Sequence, residues 1–121
     1  MALYLVYGAG NFIQCGVETP YLQIGETKYG KPILDRAVTY RHELYDALKI
    51  ALISFDSTIR SNLAVGLPLD LTVIRRDSLR AETHSRIEVD DPDFRDLGER
   101  WSAALRAAHL AIPPPPYRPA A

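Results

Sequence analysis

The feature that most limits the fold of this chain is the long amphipathic stretch from His42 to Ser61. Apolar residues recur in it at three- and four-residue spacing, at positions 44, 47, 48, 51, 52, 55 and 59. This spacing predicts one helix whose apolar stripe is wide enough to cover a sheet. Because 121 residues suffice for one domain with a modest core, we interpret the other elements as partners of this helix.

Short apolar or alternating runs, each bounded by turn residues, predict strands on both sides of the helix. Five runs share this character, and they cover residues 3–7, 12–15, 21–24, 69–74 and 84–89. The first two runs are separated by the turn residues 8–11 and should form a hairpin. The run 84–89 alternates and should form a strand with one solvated face.

Two further helices are predicted. A helical piece begins after Gly25, at Glu26–Thr27, and Pro32 can join it only near its first turn. The last helix has Asp90 or Asp91 as its N-cap, Pro92 at its first position, and ends before a proline-rich tail. We therefore predict a domain over residues 1–112 and an extended tail over residues 113–121. Without βαβ alternation, this order of elements is typical of an α+β fold with helices layered on antiparallel strands.

Composition narrows the classes of function. The chain has 47% apolar residues and a formal net charge of −1, so we expect neither a nucleic acid nor an anionic membrane as partner. No run approaches the roughly 18 apolar residues of a membrane span, and the opening MALYLVYG lacks the basic region and cleavage site of a signal peptide. We expect a soluble cytoplasmic protein without an intramolecular disulfide, since Cys15 is its single cysteine.

No metal or other cofactor is expected. His42, His84 and His109 lie far apart in the sequence and lack the close spacing of zinc ligands. The acidic run 90–93 lacks the glycine and the bidentate glutamate of a calcium loop, and is better explained as a helix start.

Three stretches of the sequence carry a resemblance to a known family. They are GNFI at 10–13, ETPYLQIGETKYGKPILDR at 18–36, and the region from SFDST at 54–58 through RSNLAVGLPLDL at 60–71. These strings closely resemble a bacterial proteasome-type peptidase of the Anbu (ancestral beta subunit) family. The resemblance extends from about Leu3 to Leu79, whereas residues 80–121 match only in helical character and in the position of the tail.

The resemblance implies the N-terminal-nucleophile hydrolase fold, which is an α-β-β-α sandwich, and threonine-type peptidase chemistry. In that family an N-terminal threonine attacks the peptide carbonyl, its own amino group acts as base, and a lysine and an aspartate assist. This chain resembles the C-terminal half of a subunit, and none of its residues matches those three groups. We therefore expect no catalytic residue in it, and no activity unless a first half is supplied.

The resemblance also implies residues that support the active site. The turn Gly25–Glu26–Thr27 occupies the place of a Gly-Ser-Gly turn beside the nucleophile in well-characterised proteasome subunits. An alternative interpretation is an ordinary capping turn with Thr27 as N-cap.

The second candidate group is Arg60, Ser61 and Asn62. It occupies the place of an Arg-Asp-x-x-Ser element that hydrogen-bonds around the N-terminal amine, with Ser61 for the Asp and Ala64 for the Ser. A plain helix end with Asn62 as a left-handed cap would explain the same residues.

Two classes of function follow. The first is a proteasome-like threonine-type peptidase subunit present as a C-terminal fragment, so whether the chain is an enzyme by itself stays open. The second is a non-catalytic assembly or interaction module, or the product of a decayed gene. Expected partners are further copies of the chain or other proteasome-like subunits, through strand edges left unpaired, and a peptide substrate only if the first half is present.

Overall fold

The computed structural model describes residues 1–119 and contains three helices and two small antiparallel sheets in that range. In chain order the elements are β1 (Tyr4–Val6), β2 (Phe12–Gln14), α1 (Lys31–Ala37), α2 (Leu44–Ser61), β3 (Leu69–Val73), β4 (Thr83–Ile87) and α3 (Pro92–Ala111). The predicted α+β class is confirmed. Residues 113–119 of the predicted tail contain no helix or strand, and its last two residues, 120 and 121, lie outside the described range.

Each sheet is one hairpin of strands that are neighbours in the sequence. Leu5 of β1 pairs with Ile13 of β2, and Gly10, with a φ of 88°, closes the turn between them because glycine adopts positive φ without steric cost. In the second sheet Leu71 of β3 pairs with Ser85 of β4. Both pairs were predicted as strands, and the first was predicted as a hairpin.

α3 starts where the sequence predicts, and α2 starts at Leu44, two residues after the predicted His42. The Asp91 carboxylate accepts a hydrogen bond from the Phe94 amide at 2.9 Å, and Pro92 occupies the first turn of α3. Glu43 caps α2 by accepting from the Tyr45 amide at 2.8 Å. A capping side chain satisfies an amide that the helix itself leaves without an acceptor.

Three local predictions are wrong. Residues 21–24 form no strand, because a strand requires a paired neighbour and the described chain provides none beside them. The first helix begins at Lys31 with Gly30, not Thr27, as its N-cap, since Pro32 is tolerated only in a first turn. Asn62, the residue after α2, is extended with a φ of −132°, so it is not a left-handed cap.

The core of the described chain is small. Its buried apolar side chains are Leu34, Ile50, Val73, Ile87 and Phe94, and α2 packs against both α1 and α3. The predicted apolar stripe of α2 is only half-buried, and its Phe55 is 44% exposed. A stripe wide enough to cover a sheet is thus only partly covered, because neither hairpin makes an extensive contact with α2.

The accessible surface shows how incomplete this packing is. It measures 9633 Å², whereas a compact monomer of 13.5 kDa would expose about 6500 Å². Many large apolar side chains are exposed, including Val6 and Phe12 in the first hairpin, which are 69% and 62% exposed. Half of a larger sandwich would expose its inner faces in this way.

Among residues 1–119, none of the helices combines the length and the apolar character that crossing a membrane requires.

Candidate functional site

The turn at residues 25–27 is fixed by backbone geometry and by one carboxylate. Gly25 has a φ of +79°, a conformation that other residues rarely adopt. The Glu26 carboxylate then accepts hydrogen bonds from the amides of Lys28 at 2.8 Å and Tyr29 at 3.4 Å. Glu26 is half-buried and Thr27 is exposed, so Glu26 is the member of this turn whose position the fold controls.

Gly30 brings the end of the same turn into direct contact with α2. A Cβ at this position would lie 2.9 Å from the Ser54 carbonyl oxygen and 2.9 Å from Thr58 Oγ1. Thr58 Oγ1 itself donates to the Ser54 carbonyl at 2.8 Å, so neither atom is free to move away. Only glycine permits this approach, which anchors the segment before α1 on the surface of α2.

A cavity of about 500 Å³ lies between this segment and the helices. Residues 21–24 and Glu26 form one wall, while Leu34 of α1 and Phe55 of α2 contribute to the other. Gln23 Oε1 is buried and has no hydrogen-bond partner in the part of the chain that the structure describes. A buried polar atom without a partner lowers the stability of the fold. Gln23 Oε1 can therefore still accept a hydrogen bond at this wall of the cavity.

A cluster of three polar side chains fastens the start of this wall to α1. Lys31 Nζ lies 2.7 Å from Asp35 Oδ2 and 3.4 Å from the Tyr21 hydroxyl, and that hydroxyl donates to Asp35. The hydrogen bond from Lys31 lowers the pKa of Asp35, and that from Tyr21 lowers it further. Partial burial, followed by the hydrogen bond to Asp35, raises the pKa of Tyr21, so the phenol stays a donor.

The second candidate group surrounds the end of α2. Arg60 Nε lies 3.0 Å from Asp56 Oδ2, and Asp56 is buried. Asn62 Oδ1 accepts from the Ala64 amide at 2.9 Å, and Ser61 is exposed at the last position of the helix. The side chains of Arg60 and Asn62 thus have partners within their own segment.

The structure does not combine the two predicted groups into one cluster. Glu26 shares its cavity with Thr58 and Val65, which lie near the end of α2. Arg60 instead lies beside α3, where a Cβ on Gly98 would be 3.2 Å from its Nη2 atom. Of the two groups, the Gly25–Thr27 turn is the one that contributes a lining residue, Glu26, to this cavity.

Sequence reasoning missed Tyr21, Gln23 and Asp35 as parts of this site. The four-residue spacing of Lys31 and Asp35 on a helix could have indicated their ion pair. No local signal indicated that Tyr21 would reach them, or that the Oε1 atom of Gln23 would be buried.

No group of three His, Cys, Asp or Glu side chains within residues 1–119 could hold a metal ion. His42 Nδ1 accepts from the Thr39 amide at 2.9 Å, and His84 Nδ1 lies 2.9 Å from Thr72 Oγ1. The two imidazoles are thus engaged locally, in different parts of the fold.

No protein-family model and no curated protein matches the chain, but solved structures match nearly all of it. Anbu from Pseudomonas aeruginosa, solved as a helical assembly, is 54% identical over 96% of this chain, with a TM-score of 0.88. Anbu (ancestral beta-subunit) from Yersinia bercovieri is 44% identical over 97% of it, with a TM-score of 0.91.

A third structure, the Gly-1 mutant of Anbu from Hyphomicrobium sp. strain MC1, is 49% identical over 93% of this chain, with a TM-score of 0.90. In each case the match covers only 48% to 50% of the other chain. The chain therefore spans about half the length of the structures it resembles.

Proposed function

Because the chain belongs to the Anbu family, whose solved members are about twice as long, we propose that it acts as one half of a proteasome-like threonine-type peptidase subunit. Residues 1–112 would form its folded part and residues 113–121 an extension. In this proposal peptide hydrolysis requires the other half, to which the resemblance assigns the threonine nucleophile. The observation that supports this proposal most strongly is the sequence identity of 44% to 54% between nearly the whole of this chain and the longer solved structures.

The unfinished packing supports this proposal. The surface exceeds that of a compact monomer by about half, and the first hairpin exposes apolar side chains such as Tyr4 and Ile13. This excess of accessible surface over that of a compact monomer is large enough for a stable interface with another polypeptide. A second half that covers these faces would complete a two-sheet sandwich.

Within the completed subunit we assign supporting roles to the two candidate groups. Gly25, Glu26 and Thr27 would stand beside the nucleophile, and Glu26 suits that position because its half-buried carboxylate is already oriented by two backbone amides. The end of α2 would supply the second supporting group. Arg60, Ser61 and Asn62 make up this group.

The test combines this chain with the part of the Pseudomonas aeruginosa chain that it does not match. The 121-residue chain alone should hydrolyse no fluorogenic peptide above background, and a threonine-directed epoxyketone should not label it. The co-expressed pair should form a complex in which the epoxyketone labels the Pseudomonas segment. Labelling of the 121-residue chain by itself would contradict the proposal, as would the failure of the pair to associate.

A matched pair of variants tests the role of Glu26. In the active complex Glu26→Ala should lower peptide hydrolysis at least tenfold, because the turn loses the carboxylate that holds two of its amides. Glu18→Ala removes a carboxylate from an exposed position of the preceding loop and should leave the rate within twofold. Equal rates for both variants would exclude Glu26 from the supporting group.

A second candidate function, assembly without catalysis, is favoured by the end of α3. Residues 103–111 of this helix are exposed throughout, and its apolar Leu105 and Leu110 are 51% and 78% exposed. The relative solved as a helical assembly shows that Anbu subunits associate. A complex of the two halves that assembles but neither hydrolyses peptides nor reacts with the epoxyketone would select this function.

A further inference from the structure

Four consecutive prolines, at positions 113–116, follow α3. The ring of each proline holds φ at about −65°, and a residue that precedes a proline is directed to extended ψ values. Ile112, which precedes the first of these prolines, is extended with a φ of −92° and a ψ of 122°. Fixed φ together with extended ψ favours the polyproline II helix, which has about three residues per turn.

This stretch lies on the surface of the chain. Residues 103–119 are all exposed, and Tyr117 is 91% exposed. Among residues 1–119, the carbonyls of 113–115 accept no backbone hydrogen bond, while the Arg118 amide donates to the Pro116 carbonyl at 2.9 Å. Packing within the described chain therefore gives no reason for four prolines to follow the helix.

The order of the side chains gives the stretch one apolar face and one charge. With about three residues per turn, Pro113 and Pro116 lie on the same face of a polyproline II helix. Arg118 follows directly after the bend that its amide closes on Pro116. Residues 113–119 contain no acidic residue, and within residues 1–119 the guanidinium of Arg118 forms no ion pair.

We propose that residues 113–118 are a docking ligand for another protein, whose domain offers an aromatic-lined groove with a carboxylate beside it, as SH3 domains do. Proline rings pack on aromatic side chains in such grooves, and a preformed polyproline II segment loses little conformational entropy when it binds. The carboxylate is the complement of Arg118, whose guanidinium can pair with it through two hydrogen bonds. This inference goes beyond the proposed function, because the docking does not require the other half of the subunit.

The test titrates the full 121-residue chain into an SH3 domain selected for peptides of the pattern Pro-x-x-Pro-x-Arg. Pro116→Ala removes a proline from the groove face, and Arg118→Glu reverses the charge that the carboxylate would bind. Pro114→Ala is the matched control for the first variant, because position 114 lies on another face of the helix. Arg106→Glu is the matched control for the second variant, because it reverses a charge at an exposed position of α3.

The wild-type chain should bind the groove of the SH3 domain saturably. Pro116→Ala and Arg118→Glu should each weaken binding at least tenfold, whereas Pro114→Ala and Arg106→Glu should change the affinity less than threefold. The effect of Arg118→Glu should shrink at high salt, since ions screen an exposed charge pair. All four variants should keep the helical circular dichroism of the wild type, because three lie outside the helices and the fourth is exposed.

Absence of binding by the wild-type chain would overturn the inference, and so would equal losses in all four variants. If Pro114→Ala and Tyr117→Ala abolish binding while Pro116→Ala is tolerated, a different face carries the recognition and the SH3-type groove is the wrong partner. A second copy of the chain would be the occupant if Pro116→Ala suppressed self-association in sedimentation, which would also overturn the proposal. The co-expression of the two halves, which tests the proposed function, is a separate measurement that these variants leave untouched.

Discussion

Gly98 sets how closely α3 can approach α2. A Cβ at this position would clash with the Asp56 carboxylate, whose Cγ would be only 3.0 Å away. Arg60 holds that carboxylate through two hydrogen bonds at 3.2 and 3.0 Å, and Asp56 is buried. The glycine therefore serves close helix packing, at a helical position where alanine would ordinarily be preferred.

Gly98→Ala should lower the free energy of unfolding by about 1–3 kcal/mol, the usual cost of overpacking. Urea denaturation at low protein concentration measures this change. Gly66→Ala is the control, because a Cβ there would meet nothing within 4 Å, and it should not destabilise the chain. A stabilised Gly98→Ala variant would show that α3 can move away from α2 without loss.

The ion pair of Asp35 should make part of the stability depend on pH. The hydrogen bonds from Lys31 and Tyr21 lower the folded-state pKa of Asp35. Its contribution is therefore complete above the unfolded-state pKa and is lost as the pH falls through the lower folded-state pKa.

The stability difference between wild type and Asp35→Asn should accordingly be largest near neutral pH and should vanish in acid. Urea denaturation across a pH series measures it, and Asp90→Asn, at an exposed position outside this cluster, is the control. A difference that stays constant into strong acid would mean that the Asp35 carboxylate contributes nothing through its charge.

At the scale of elements, α2 has two faces with different states of packing. Ile50 is 8% exposed and belongs to the core, whereas Phe55 on the predicted stripe is 44% exposed. The sequence pattern predicted burial for the stripe that includes Leu48, Leu52 and Phe55. The structure places the first two at intermediate exposure, so the most buried side of the helix differs from the predicted one.

Ile50→Ala should therefore lower the free energy of unfolding by about 2–5 kcal/mol. In the free chain, Phe55→Ala should lower it by well under half of that amount. Urea denaturation of the two variants gives the comparison. In complex with the other half, Phe55→Ala should become as damaging as Ile50→Ala if that half covers the stripe. Equal costs in the free chain would mean that Phe55 is already buried in solution.

The elements that sequence predicted correctly are those with local determinants. The ends of α3 follow from Asp91, Pro92 and the following prolines, and the first hairpin follows from its turn at residues 8–11. The strand at 21–24 could not be judged locally, because pairing depends on a neighbour elsewhere. The location of Glu26 at a cavity, and the burial of Gln23 Oε1, equally depend on packing against α2.

At the scale of the whole molecule, unfinished packing predicts association. The hairpin strand β1 has no charged residue in Tyr4–Val6, and β3 has only Asp70, so both are poor at excluding another strand. Asp70 is moreover engaged by Arg86 at 2.8 Å on the neighbouring strand. We expect the free chain to associate with itself.

Analytical ultracentrifugation over a concentration series should therefore give a mass that rises above 13.5 kDa with concentration. Adding the other half should suppress this rise, because it covers the same edges. A monomer of compact frictional ratio at every concentration, with slow amide exchange in β1 and β3, would show that the chain closes its own surface.

The pairing of each strand with its neighbour in sequence has a consequence for the order of folding. Tyr4 pairs with Gln14 and Leu69 with Ile87, and α2 packs on the helices before and after it, so the loops closed on folding are short. Chains dominated by such local contacts fold fast. During synthesis at about 5–20 residues per second, each of these units can form as it leaves the ribosome. In the proposed two-part subunit, the slow, long-range step would be the encounter between the two polypeptides, and its rate would depend on their concentrations.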